Sequence, residues 1–106
     1  GNNMALNHFG YIFLSPGFSP ERNTITTRNE QCEFIAVGID ITHKETVIDV
    51  AKKLVNEGVQ MIELCGGFGP LWVAKISESI NHAVPVGSVA YGPEARQPLL
   101  NILSNK

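Results

Sequence analysis

Two apolar runs rich in β-forming residues, at 32–41 and 59–64, enclose a stretch whose apolar positions recur every three and four residues: Val47, Val50, Ala51, Leu54 and Val55. That period lays one stripe of a helix against a sheet, while Lys52, Lys53 and Glu57 face away and Gly58 supplies a left-handed stop. Strand, helix and strand in that order make a βαβ crossover, which demands parallel strands. Thr42, His43, Lys44 and Glu45 fit a capping box, so the helix is expected to open there.

The rest of the chain extends the alternation. Residues 8–15, His-Phe-Gly-Tyr-Ile-Phe-Leu-Ser, read as a strand with two apolar faces, and both faces of the sheet are therefore expected to be covered. Pro16, Gly17, Pro20, Asn23 and Asn29 make 16–31 a loop, long enough for a lid. Gly69-Pro70 opens a second helix with Val73, Ile76 and Ile80 on one face and Trp72 beside them. A fourth strand follows at 84–90, with Pro85 near its start, and then a last short helix at 98–104. The expected fold is α/β: a small, open, mainly parallel four-stranded sheet (β-loop-β-α-β-α-β-α) flanked by helices, in two or three layers. The direction of the first strand stays open, because the 16–31 loop can serve as a crossover or as a wide antiparallel return. Residues 5–106 form one domain; Gly1 without a preceding Met reads as an expression scar, with Met4 as the natural start, and 1–4 are set aside.

Charge narrows the partners. The formal net charge is −2, and no basic run exceeds Lys52-Lys53, which argues against a nucleic-acid surface or an anionic membrane. No apolar run approaches the roughly 20 residues of a membrane span and no signal-peptide pattern opens the chain, so a cytoplasmic location is expected. A domain of 106 residues keeps a large surface for its volume, and a homodimer or larger homo-oligomer is a common remedy.

Open parallel sheets bind ligands beyond the carboxyl ends of their strands. Here that edge collects Ser15 and the 16–31 loop, Asp40, Thr42 and His43, the run Glu63-Leu64-Cys65-Gly66-Gly67-Phe68-Gly69-Pro70, and Tyr91 with Arg96. The glycine-rich turn is the best candidate. Gly66, Gly67, Phe68 and Gly69 can present amides to a phosphate or carboxylate at a helix start, with Phe68 covering an apolar part of the ligand. Against this, a strand-to-helix turn uses glycine for positive φ and close packing without any ligand. Cys65, beside a helix N-terminus, is the candidate nucleophile; a buried, space-filling thiol is the competing reading. Glu63 shares the face of Met61 and Cys65, which in a covered sheet buries a carboxylate, either as a general base or as half of a structural pair. His43 is the candidate acid or base, read also as a solvent-exposed residue of the first helical turn. Asp40, Tyr91 and Arg96 complete the candidate ligand set, Arg96 as the partner of an anion. Cys32 begins its strand while Cys65 ends a parallel one, which separates the thiols and excludes a disulfide. No Cys or His pair has metal-ligand spacing, so no metal is expected, and no cofactor is indicated.

Residues 62–70, Ile-Glu-Leu-Cys-Gly-Gly-Phe-Gly-Pro, together with Val84-Pro85-Val86-Gly87, resemble those of a small family of prokaryotic single-domain proteins of unknown function. That resemblance spans most of the chain and implies a small α/β domain, with no reaction attached. Residues 37–90 also resemble a fragment of a phosphate-binding β/α barrel, but about three strand-helix units fit where a barrel has eight. Two functional readings stand: a binder of a small anionic metabolite at the glycine turn, with or without chemistry at Cys65, and a non-catalytic homo-oligomeric module with Phe68 and that turn in a subunit contact.

Overall fold

The computed structural model describes residues 5–104, and the expectation for 1–4 lies outside them. The chain runs β1 (His8–Ser15), β2 (Thr24–Arg28), β3 (Glu33–Asp40), α1 (Thr46–Asn56), β4 (Ile62–Leu64), α2 (Gly69–Ser79), β5 (Val86–Ser88) and α3 (Arg96–Ser104), with a 3-10 turn at Pro93–Ala95 before α3. The strands lie in the order β2-β3-β1-β4-β5. All neighbours are parallel except β2 and β3. The expected open α/β fold is therefore present, with five strands in place of four.

The extra strand lies inside the 16–31 segment. Thr24-Ile25-Thr26-Thr27-Arg28 pairs antiparallel with β3, and the hairpin between them is closed by Asn29. The Asn29 side-chain oxygen accepts the amides of Gln31 and Cys32 at 2.8 and 2.9 Å, a local bond that asparagine makes readily in turns. β2 thus carries the chain back down the sheet, so β3 rises parallel to β1 without a helical crossover. Every residue of β2 is exposed, which is why no apolar alternation announced it.

The capping box does not form. Asp40 Oδ1 accepts both the amide and the hydroxyl of Thr42 at 3.0 Å, since a carboxylate is a stronger acceptor for the threonine than a distant backbone site. The next residues turn through His43 N–H to Asp40 O (2.9 Å) and Thr46 N–H to His43 O (3.1 Å). α1 consequently begins at Thr46, with Glu45 at its N-cap position and no side-chain cap. His43 stands before the helix and not in its first turn. At the other end Gly58 adopts φ +98°, the left-handed stop.

Topology decides where the helices go. The crossovers β3-α1-β4 and β4-α2-β5 both advance the same way across the sheet, and crossovers of one hand then place both helices on one side. A single core results: Ile12, Ile35, Val37, Ile39, Ile62 and Leu64 from the sheet, Val47, Val50, Ala51 and Leu54 from α1, and Phe68, Ile76 and Ile80 around α2. The expectation of two covered faces is corrected: the architecture has two layers. Phe9, Tyr11, Phe13 and Phe34 lie on the opposite face, outside the core. Glu63, paired in register with Tyr11, shares that face and is exposed, so it is no buried carboxylate. Among the described residues no helix is long and apolar enough to cross a membrane.

Ile12 is fully buried at the centre of the sheet. Ile12→Ala is expected to lower unfolding free energy by about 2–5 kcal/mol through lost burial and the cavity left behind, read as a shift of the urea midpoint at unchanged slope.

Candidate functional site

The carboxyl edge of the sheet holds two separate crevices. The first, about 440 Å³, is walled by Leu14, Ile41, Lys44, Cys65, Gly66, Gly67, Tyr91, Leu99 and Leu103. Each wall has a local cause. β1 ends at Ser15, which leaves Leu14 at the rim, and the Asp40 turn lifts Ile41 and Lys44 beside it. The Lys44 ammonium reaches across and donates to Gly67 O at 3.1 Å. α3, which buries none of its own residues, supplies Leu99 and Leu103.

The glycine turn is tied into this wall. Cys65 N–H bonds Ile12 O at 3.0 Å, and Phe68 N–H bonds Cys65 O at 3.2 Å. The Cys65 sulfur accepts the Leu14 amide at 3.4 Å and is half-buried. A Cβ on Gly66 would meet the Tyr91 ring and Val89 O at 3.3 Å, and Gly69 adopts φ +77°. Close approach and backbone conformation therefore account for glycine at these two positions. Among the described residues the Gly66 and Gly67 amides form no hydrogen bond. The Phe68 amide is used by the turn, and its ring is buried in the core, edge-on to Trp72 at 6.4 Å between centroids. Phe68 therefore neither covers a ligand nor stands free for a subunit contact.

Asp40 and His43 line the second crevice, about 390 Å³, with Gly17, Ser19, Arg22 and Thr46. His43 Nδ1 lies 3.8 Å from Asp40 Oδ2 and 3.0 Å from the Thr42 hydroxyl. The two Thr42 bonds hold the Asp40 carboxyl below its ordinary range, with the Gly17 amide and His43 adding to the effect. On the open face, burial pushes the Tyr11 hydroxyl up, and the charges of Cys65, Tyr91 and Glu63 push the same way.

The candidates thus divide. Cys65, Gly66, Gly67 and Tyr91 come together; Asp40 and His43 form a separate group; Glu63 faces away on the sheet, and exposed Arg96 lines neither crevice. The cation that does stand at the turn is Lys44, which sequence reasoning assigned to the capping segment. Its signal was Asp40-Ile41-Thr42, an acidic side chain two residues before a threonine, which forms a local turn and leaves Lys44 in the loop. Both cysteines are free. Among the described residues no three His, Cys, Asp or Glu side chains are grouped to hold a metal ion.

Compared with protein families, residues 7–104 match the model described as a family of unknown function, DUF6506. The chain matches no curated protein and no solved structure.

The Asp40 shift has a testable sign. A carboxyl held low in the folded state contributes stability that is complete above its unfolded pKa and is lost as pH falls through the folded value. Asp40→Asn keeps an acceptor for Thr42 but cannot titrate. Below about pH 4 the urea midpoint of the variant is expected to fall less steeply with pH than that of the parent.

Proposed function

The chain belongs to the DUF6506 family of unknown function, and we propose that it binds a small molecule with one acidic group on an apolar body in the crevice beside the Cys65 turn. One observation carries this reading: a single ammonium, Lys44, stands in a cavity otherwise walled by apolar, thiol, tyrosyl and glycyl groups. A volume of about 440 Å³ falls within the range of small-molecule sites, roughly 300–1,000 Å³, which combine apolar walls with a few polar anchors.

The division of labour follows from the chemistry of the walls. Lys44 offers three donors and uses one on Gly67 O, which leaves two for a carboxylate or phosphate oxygen. The unbonded Gly66 and Gly67 amides are further donors at the same turn. Leu14, Ile41, Leu99 and Leu103 supply apolar surface to the body of the ligand, and Tyr91 adds a ring face. The Cys65 thiol lies in the wall with its sulfur on the Leu14 amide. Binding, and no reaction, is what this set of groups supports: Glu63 and His43, the two proposed helpers of the thiol, line other surfaces.

A thermal-shift series tests the proposal with inorganic phosphate, octanoate and octyl phosphate. A compound present at 100 times its dissociation constant adds about 2.7 kcal/mol to the folded state, so the alkyl acids are expected to raise Tm more than inorganic phosphate. Lys44→Met removes a charge-assisted bond and is expected to weaken binding about 10- to 100-fold. Equal affinity in parent and Lys44→Met, or no shift with any of the three, refutes the reading.

A further inference from the structure

We infer that the open face of the sheet is the seat of a homodimer, covered by the same face of a second copy of the chain. Four neighbouring strands of this sheet are parallel, and parallel sheets occur almost only with both faces covered. Here α1 and α2 cover one face. The other carries Phe9 tilted against Phe34 at 4.8 Å, Tyr11 stacked on Phe13 at 6.2 Å, and Ile25, 63% exposed, on β2. Register places Ile25 level with Ala36, Tyr11 and Glu63, so the patch is continuous from the β2 edge to β4.

Charge and symmetry point to a second copy. With strands of eight, five, eight, three and three residues, about 3.3 Å per residue and about 4.8 Å between strands, the face has a flat footprint of about 430 Å². The rings add relief to this plane, and the contact belongs with the small interfaces, below the ~800 Å² that each partner of a standard one buries. Along this face the strands present two charged side chains, Glu63 and, at the end of β3, Asp40, and no cation, which gives an anionic membrane or nucleic acid nothing to pair with. A self-complementary contact needs none. β1 is the middle strand of five, so a twofold axis along it lays β4 of one copy over β3 of the other. Glu63 then lies over the Ala36 row and away from its own symmetry mate. Tyrosine and phenylalanine are the residues that enrich such interfaces. The inference is independent of ligand binding, since it rests on the strand faces and on none of the groups that wall the crevice.

Sedimentation velocity of the full chain at micromolar concentration tests it, with a species of twice the 11.5 kDa protomer mass expected. Ala36→Asp sets a second carboxylate opposite Glu63 and is expected to give a monomer. Ile25→Lys, at an exposed edge position where the monomer tolerates a lysine, is expected to weaken the dimer at least tenfold with unchanged circular dichroism. A monomeric parent overturns the inference, as does a dimer that survives both substitutions with native spectra. A monomer that co-sediments with phosphatidylcholine vesicles through this face also overturns it, and assigns the face to lipid.

Discussion

The parallel ladder between β1 and β3 is the constraint from which the rest of the structure follows. It runs in unbroken register from His8 opposite Glu33 to Ser15 opposite Asp40, and it exists only because β2 returns the chain antiparallel before β3 begins. With β3 seated beside β1, the crossover through α1 must step over β1 to reach β4, and α2 steps on in the same direction. Two steps of one hand and one direction leave both helices on one side. The aromatic face of the sheet is therefore left uncovered by α1 and α2 because of strand order, not because it lacks apolar side chains.

How far this could be read in advance depended on which interactions are local. The 3.6-residue stripe of α1, the Gly58 stop and the Gly69-Pro70 start are properties of neighbouring residues, and they stand in the structure where the pattern puts them. β2 was illegible because Thr24–Arg28 is a polar edge strand held by its ladder and by Asn29, with no burial to mark it. The Thr42 capping box failed through competition: two acceptors were available to one threonine, and the charged one prevailed. The burial expected of Glu63 failed for a non-local reason, since face coverage is a consequence of the order of strands and is not written in any one of them.

The same distinction applies to the site. Placement on the carboxyl edge was legible from the alternation of elements, but its division into two crevices was not. Asp40 belongs with His43 because its carboxylate folds the 40–43 turn onto itself, and that turn sends Lys44 the other way, to Gly67. One side chain thus sorts its neighbours between two cavities. The glycines of the Cys65 turn have packing reasons of their own, so the weight of a binding reading rests on Lys44 and the apolar walls.

α3 forms a wall of the crevice yet buries none of its nine residues. A helix so short is marginal in water on its own, since each turn must be held by packing. Its helicity and the filling of the crevice are then two sides of one equilibrium: an apolar body lodged against Leu99 and Leu103 would serve as the core that this helix lacks. Affinity for such a body would include the cost of ordering residues 96–104, and amide exchange in that segment would slow as the crevice fills.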